Sequence, residues 1–377
     1  MVKFKKIVVL DPILLLAEHW QMLHEYGEEV IEYSGLDSQQ ILKKLQREMD
    51  QDPKPMCWTQ LAQEKIEIDE LNKRIKNADC IISCWTSIPD EVLLNNNQIK
   101  YIGFWTNNAT HRINFELAQE KGLFITIIPD YGTDSVAELT FAGMLAVSRK
   151  ILISHQNTLR GKWPYELLKT GQYVPIASEI PQKILRNKKL GIVGLGRIGK
   201  RVAEIAMAFK MDICYWSKKH HLKYEEMGVK FIELEEMFET CDIISVHLSP
   251  FASPGIISKS IISKLKNGAI FINTSAGILV DQKALFDELE NNRIHSFLDV
   301  YEGLPPRKLL KKLENYGNIF TYRSGWYTQE AITYKGKYLL DNIQKYLMNN
   351  KQKAAWEYFN ENDELASEIQ CSNEKST

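Results

Sequence analysis

Short apolar or β-branched runs alternate with amphipathic stretches along almost the whole chain, and this alternation predicts a succession of strands and helices. In the first third, residues 6–10, 29–33, 80–84, 101–104 and 124–128 read as strands. Residues 39–49 and 60–75 carry alternating charge and read as exposed helices joined through Asp52-Pro53-Lys54-Pro55. A long helix is predicted to begin near Asp134-Ser135, where Val136, Leu139, Ala142, Met144 and Leu145 keep helical spacing behind a capping residue. Residues 163–181 lack any period and read as a long loop or arm. Farther on, residues 230–232, 242–248, 269–273, 294–300 and 319–322 read as strands, with helices at 235–240, 259–265 and 283–291 between them. Strands separated by helices imply an α/β fold with a doubly wound parallel sheet. Beyond Gly325 another helix is expected, with Ala331, Tyr334, Tyr338, Leu339 and Ile343 apolar, returning to the N-terminal part; the polar residues 366–377 are expected to be a disordered tail.

One segment narrows this picture. Leu190-Gly191-Ile192-Val193 is followed by Gly194-Leu195-Gly196-Arg197-Ile198-Gly199, then by helical spacing of Val202, Ile205, Ala206 and Phe209, then by Asp212-Ile213-Cys214-Tyr215-Trp216-Ser217. Strand, glycine turn, amphipathic helix and second strand stand in the order of a dinucleotide-binding unit. Gly194 permits the tight turn, Gly196 lets a pyrophosphate approach the backbone, and Gly199 lets the helix pack closely on the strand, so the helix N-terminus meets the phosphates. The second strand ends at Ser217, where an NAD site places a carboxylate on the ribose hydroxyls. Here Ser217 is followed by Lys218, Lys219, His220 and His221. A hydroxyl with cations suits the extra phosphate of NADP, and NADP is therefore the expected cofactor. NAD beside a solvated basic turn is the alternative.

Composition fits an enzyme of two domains: 377 residues, 44% hydrophobic and 25% charged, supply a full core for each. A net charge of -1 argues against a nucleic-acid surface, since the basic residues of 218–223 are too few to change the balance. Of the six cysteines, Cys80, Cys84, Cys214 and Cys241 fall in or beside apolar strands and read as reduced, buried thiols, while no Cys and His pairing has zinc spacing, so no metal is expected. The apolar start is broken by Asp11-Pro12 and reads as a strand and turn rather than a signal peptide. No apolar run reaches membrane-spanning length, and a cytoplasmic location is expected by default.

Taken together, these residues resemble the D-isomer-specific 2-hydroxyacid dehydrogenases. The resemblance runs through Ser135-Val136-Ala137-Glu138-Leu139, Gly161-Lys162-Trp163, the glycine turn with Arg197-Ile198, His247-Leu248, Lys266-Asn267-Gly268-Ala269, Ile272-Asn273-Thr274, Val280-Asp281 and Leu298-Asp299-Val300-Tyr301. It implies a Rossmann nucleotide domain over residues 133–324 and a flavodoxin-like substrate domain from both chain ends, residues 1–132 and 325–365, with a cleft at their junction. A homodimer is implied too. On this correspondence the cofactor meets Gly194, Gly196, Arg197, Ile198, Gly199, Ser217, Lys218, Lys219, His247, Thr274, Ser275, Ala276 and Asp299.

Departures from the family pattern carry the chemistry. In the family an arginine binds the 2-keto acid, a histidine supplies the proton and a glutamate holds the imidazole. The matching positions are Ala276, Arg323 and Leu304, and none of the eight histidines follows residue 295. Arg323 cannot act as an acid, because its pKa exceeds about 12. The substrate loop, glycine-rich in the family, reads Gly103-Phe104-Trp105-Thr106-Asn107-Asn108-Ala109-Thr110-His111, with Trp85, Thr86 and Ser87 expected near it. Arg323, Tyr327, Tyr322 and His111 are the candidate catalytic residues. If a helix begins at Arg323, Tyr327 shares its face, and the guanidinium lowers the phenol pKa. The expected function is an NAD(P)(H)-dependent oxidoreductase with remodelled chemistry and an unnamed small-molecule substrate. The alternative is a nucleotide-binding protein without turnover that serves as a regulator or scaffold.

Overall fold

A computed structural model describes residues 2–33, 66–161, 165–167, 173–175, 182–249, 253–303 and 305–349. They fall into two units: the described residues up to Tyr131 with those from Gln329 onward, and the described residues between Gly132 and Thr328.

The first unit is built on a five-stranded parallel sheet of order β2-β1-β3-β4-β5, with β1 Phe4–Val9, β2 Gly27–Glu32, β3 Cys80–Ser83, β4 Tyr101–Phe104 and β5 Phe124–Thr126. All residues of β3 and β4 are buried, so these strands read as continuous apolar runs rather than alternating ones. On one face Val8, Ile81, Ile102 and Ile125 pack with Leu71, Val92 and Leu93 from helices α2 (Ile68–Arg74) and α3 (Asp90–Asn95). On the other, Ile7, Val9, Ile82 and Tyr101 pack with Leu23 of α1 (Ala17–Tyr26) and with Leu339, Leu340 and Ile343. Those last residues belong to the long C-terminal helix, Gln329–Asn349, which shares the cover of this face with α1. Helix α4 (Phe115–Glu120) lies on the first face through Ala118.

The second unit opens with α5 (Thr133–Ser148) and α6 (Ile151–Leu159), and residues 165–167 pair antiparallel with residues 173–175 as β6 and β7. A hairpin therefore occupies part of the stretch expected to be a loop. The core sheet has seven parallel strands in the order β10-β9-β8-β11-β12-β13-β14. They are β8 Lys189–Val193, β9 Asp212–Trp216, β10 Lys230–Phe231, β11 Ile243–Val246, β12 Ile270–Asn273, β13 His295–Leu298 and β14 Ile319–Phe320. Helices α7 (Arg197–Ala208), α8 (Leu222–Glu226), α9 (Leu234–Thr240), α10 (Lys259–Ser263), α11 (Gln282–Glu290) and α12 (Arg307–Glu314) connect them. Strand order reverses between β8 and β11, which opens a crevice beyond their C-terminal ends.

Each expected strand is present: residues 101–104 match at both ends, β1 and β2 begin two residues earlier than expected, and most of the others are shortened by one or more residues. Helices α1, α3, α4, α6, α8 and α12 were not expected, because they are short and bury few apolar positions; α6 buries none. Residues 325–328 group with the second unit, since Gly325 N donates to Asp299 Oδ2 (2.9 Å) and Thr328 Oγ1 lies 3.1 Å from Ser135 Oγ. The expectations at residues 39–49, 60–65, Leu304 and 366–377 lie outside the described residues. Among the described residues no helix is long and apolar enough to cross a membrane, and no group of three His, Cys, Asp or Glu side chains could hold a metal ion.

The C-terminal helix, α13, closes tightly on α1. A Cβ at Gly336 would lie 2.0 Å from His19 Nδ1, and His19 is itself buried. Gly336→Ala is therefore expected to destabilise the first unit by about 1–3 kcal/mol through overpacking, read as a lower urea midpoint; an unchanged midpoint would contradict this close approach.

Candidate nucleotide site

Three glycines shape the end of β8, each for a different reason. Gly194 has φ +99°, and a Cβ there would meet Leu248 Cδ2 at 2.8 Å and His247 O at 2.9 Å, so only glycine serves. A Cβ at Gly199 would lie 2.1 Å from Gly194 O, where the first helical turn folds against the strand end. At Gly196 the protein itself would tolerate a side chain, because an added Cβ meets nothing within 4 Å. What its absence leaves is bare backbone at the N-terminus of α7. No side chain caps this helix and its first turn contains no acid, so the positive end of the helix is free for an anion. Arg197 stands at the first helical position, half-buried, and its guanidinium has no partner among the described residues. Ile198 is turned the other way, into the apolar packing under the sheet.

At the end of β9, Ser217 Oγ lies 3.3 Å from His221 Nε2 and accepts weakly from Lys219 N (3.4 Å), which curls the basic turn around the hydroxyl. Lys218 and Lys219 are exposed. Glu225, tied to this turn, is already occupied: it accepts from Tyr215 OH (2.5 Å) and pairs with His220 Nδ1 (2.9 Å), and these bonds hold its carboxyl below the ordinary range. Neither the glutamate nor its bonds had a signal in the sequence pattern.

Beyond β11, His247 Nε2 is 2.7 Å from Ser245 Oγ, while Nδ1 is buried with no partner among the described residues. Burial pulls this imidazole down to about 3, so it is neutral at physiological pH. After β12, Thr274 Oγ1 is 3.1 Å from Thr140 Oγ1, and Ser275 Oγ donates to Leu248 O in a short bond. Asn273 braces the same turn, accepting from Ser275 N (3.0 Å) and donating to Ala276 O (2.9 Å). The Ala276 methyl offers no charge. Next to it a Cβ at Gly277 would strike the Tyr301 backbone at 2.2 Å.

Asp299 was expected on the cofactor, but its carboxylate is filled by its own chain. It is 2% exposed; Oδ1 accepts from Thr321 Oγ1 (2.6 Å), Ser324 N (2.9 Å) and Ser324 Oγ (2.7 Å), and Oδ2 accepts from Gly325 N (2.9 Å). Its backbone oxygen takes Arg323 N at 2.7 Å. The result is a rigid turn in which Arg323 has φ +46°, is exposed, and has a guanidinium with no partner among the described residues.

This turn corrects the helical reading of Arg323 and Tyr327. The helix starts at Gln329, and Tyr327 N bonds Ser324 O in a turn, so the two side chains do not share a helix face. Tyr327 is 54% exposed, with its ring edge-on to Trp326 at 5.6 Å. Tyr322 is stacked on Tyr301 at 6.5 Å. His111 lies in the first unit, where partial desolvation and the Arg112 charge pull its pKa to about 4. A neutral imidazole keeps one N–H but is a weak acid, so His111 is a poor proton donor at neutral pH.

The bare Gly196 backbone, the uncapped α7, the unpartnered Arg197 and the orphaned His247 Nδ1 together fit a dinucleotide phosphate and its neighbouring sugar. Residues 141–320 match the sequence profile of the D-isomer specific 2-hydroxyacid dehydrogenase NAD binding domain. A hydroxypyruvate reductase of Thermotoga maritima is 31% identical over 296 residues, 76% of this chain and 91% of that protein. The chain belongs to the D-isomer-specific 2-hydroxyacid dehydrogenase family. A D-3-phosphoglycerate dehydrogenase of Methanocaldococcus jannaschii is 33% identical, and the match spans 74% of this chain but about half, 52%, of that relative. Among solved structures, an acyclic imino acid reductase in complex with NADPH and D-Arg superposes with TM-score 0.68 at 26% identity, covering 91% of this chain and 97% of that one. Membership in the 2-hydroxyacid dehydrogenase family makes the second unit a nicotinamide-dinucleotide domain and the protein an oxidoreductase of that type.

Two outcomes follow from this geometry. Gly196→Ala is expected to keep the melting temperature while weakening dinucleotide binding by about tenfold or more; unaltered binding in a titration would remove Gly196 from the phosphate site. His247, His295 and His111 are all held below their unfolded value, mainly by burial or partial desolvation, at about 3, 4 and 4. On acidification the unfolded chain protonates first, so stability is present above about pH 6.5 and is lost as pH falls toward 4. Urea midpoints that stay level over that window would contradict these buried neutral rings.

Proposed function

We propose that this protein is an NADPH-dependent reductase acting on a carbon–nitrogen double bond, with the protonated imine of an acyclic 2-imino acid as substrate. The observation that carries the proposal is at position 323, where the family correspondence puts the proton donor. There the chain holds an exposed, unpartnered guanidinium on a turn fixed by Asp299.

A bound NADPH supplies the hydride; binding and charge fall to the side chains. Reduction of a ketone needs a proton at oxygen as the hydride arrives, and losing the donor costs on the order of 10²–10⁴ in rate. Arg323 does not release a proton at neutral pH, and His111, held in the neutral form, is a poor donor. An iminium removes the requirement. Hydride adds to carbon, the C=N π pair becomes the nitrogen lone pair, and the amine afterwards takes a proton from water. What the protein must then provide is a grip on the carboxylate, and a guanidinium carried on a fixed turn offers two parallel N–H donors. The kinship with an imino acid reductase that binds NADPH and D-Arg supports the same reading.

Ser217, Lys218 and Lys219 support NADPH over NADH, since a hydroxyl and two ammonium groups accept a phosphate that a carboxylate would repel. NADPH is expected to bind more tightly in a fluorescence titration, with a narrower margin in Lys218→Ala. Equal affinities would point to NAD.

The substrate reading is tested by NADPH oxidation with pyruvate or glyoxylate, alone and with ammonium or methylamine at pH 8–9. Turnover is expected only when the amine is present. Arg323→Ala should raise KM for the imino acid by about 10–100-fold, the worth of a charge-assisted pair, whereas Tyr327→Phe should change little. Turnover of about 1–10³ per second on a keto acid alone would restore the ordinary dehydrogenase reaction. Tight NADPH binding with no turnover in any mixture would leave the regulator reading.

A further inference from the structure

A second polar site lies at the opposite edge of the seven-stranded sheet, where β8, β11 and β12 begin. Lys183, Lys188 and Lys266 line a pocket there of about 50 Å³, open to solvent, together with Asp242, Ser148 and Gly268. Ser148 is 3% exposed, and its Oγ is buried with no hydrogen-bond partner among the described residues. An unmade bond at a buried hydroxyl costs about 1–3 kcal/mol, and native structures rarely leave one without a ligand or water.

The charges are unbalanced. Three lysines face one carboxylate, and that carboxylate is committed: Asp242 accepts from Lys189 N (3.0 Å) and from Lys266 Nζ (3.2 Å). Lys183 Nζ is aimed by a single bond to Gly268 O (2.8 Å), across a glycine whose added Cβ would come within 3.2 Å of it. The Lys188 amine makes no hydrogen bond or ion pair with the described residues; its charge reaches Asp242 only at longer range. Neighbouring groups register the excess positive charge. Lys150 is depressed to about 8 by burial and by Lys183, and His295 to about 4 by burial and then by Lys150 and Lys183. His295 Nδ1 is a second buried atom without a partner.

We propose that this pocket binds a phosphoryl group, as inorganic phosphate or as a small phosphomonoester, at a site separate from the dinucleotide. A single carboxylate would offset only half of the surplus of two charges. A phosphate dianion offsets it fully and accepts from several ammonium groups and the Ser148 hydroxyl at once.

The test is calorimetric titration of the full chain at saturating NADPH, so that phosphate cannot act at the glycine turn or at residues 217–219. The probes are inorganic phosphate and glycerol 3-phosphate, with ionic strength held constant by chloride. Saturable binding of either is expected, weakened about tenfold or more in Lys188→Gln and in Ser148→Ala. Tighter inorganic phosphate assigns the free ion, and tighter glycerol 3-phosphate assigns a phosphomonoester. No saturable heat from either probe, or an affinity unchanged in Lys188→Gln, would overturn the proposal. If Ser148→Ala fails to fold, Lys188→Gln decides alone, because the Lys188 amine makes no hydrogen bond or ion pair with the described residues.

Discussion

A buried aspartate just beyond the strand next to the sheet edge is the constraint on which each unit depends. In the second unit Asp299, just after β13, accepts four hydrogen bonds from Thr321, Ser324 and Gly325, and so imposes the turn that presents Arg323. In the first, Asp11, just after β1 and 1% exposed, accepts from Ser83 Oγ, Cys84 N, Trp85 N, Thr86 N and Thr86 Oγ1. Each carboxylate gathers donors from chain that is far away in sequence. Bonds to a charged group contribute about 1.5–3 kcal/mol each, though not additively, and they are directional where apolar packing is not. The apolar cores bring the strands together. The two carboxylates then decide where the loops beyond them lie.

That division lets the nucleotide turn and the residue at position 323 be set independently of one another. The glycine turn is fixed by backbone clearance at Gly194 and Gly199, which no side-chain change elsewhere in the unit relaxes. Arg323 sits on a turn whose shape comes from Asp299, Thr321, Ser324 and Gly325, so the residue at 323 can change chemistry without changing the backbone. Hydride transfer by an intact dinucleotide site can therefore be joined to a different way of handling the substrate.

The fold was legible because buried parallel strands are continuous apolar runs, and residues 80–84, 101–104 and 269–273 stand out against charged neighbours. The glycine turn was legible because its spacing answers to backbone contacts within a few residues. Short helices such as α6 were not legible, since Ile151 and Leu159 remain exposed and leave no one-sided stripe to find. The helical link between Arg323 and Tyr327 failed for a related reason: the segment's conformation is set by Asp299, 24 residues earlier, and local spacing has no access to it. The orphaned Nδ1 of His247 and the unpartnered hydroxyl of Ser148 are products of tertiary burial, and no pattern along the chain announces them.

The central claim is that reduction at this site proceeds without a proton from the protein. The most direct measurement is a pair of isotope effects on kcat for imine reduction, one with NADPH deuterated at the transferred position and one in deuterated water at the matched pH plateau. If chemistry is limiting and no general acid takes part, the labelled cofactor slows turnover by about 2-fold or more while the solvent effect stays near about 1. A solvent effect of about 2 or more accompanying the cofactor effect would show a proton in flight in the same step, and would contradict the account.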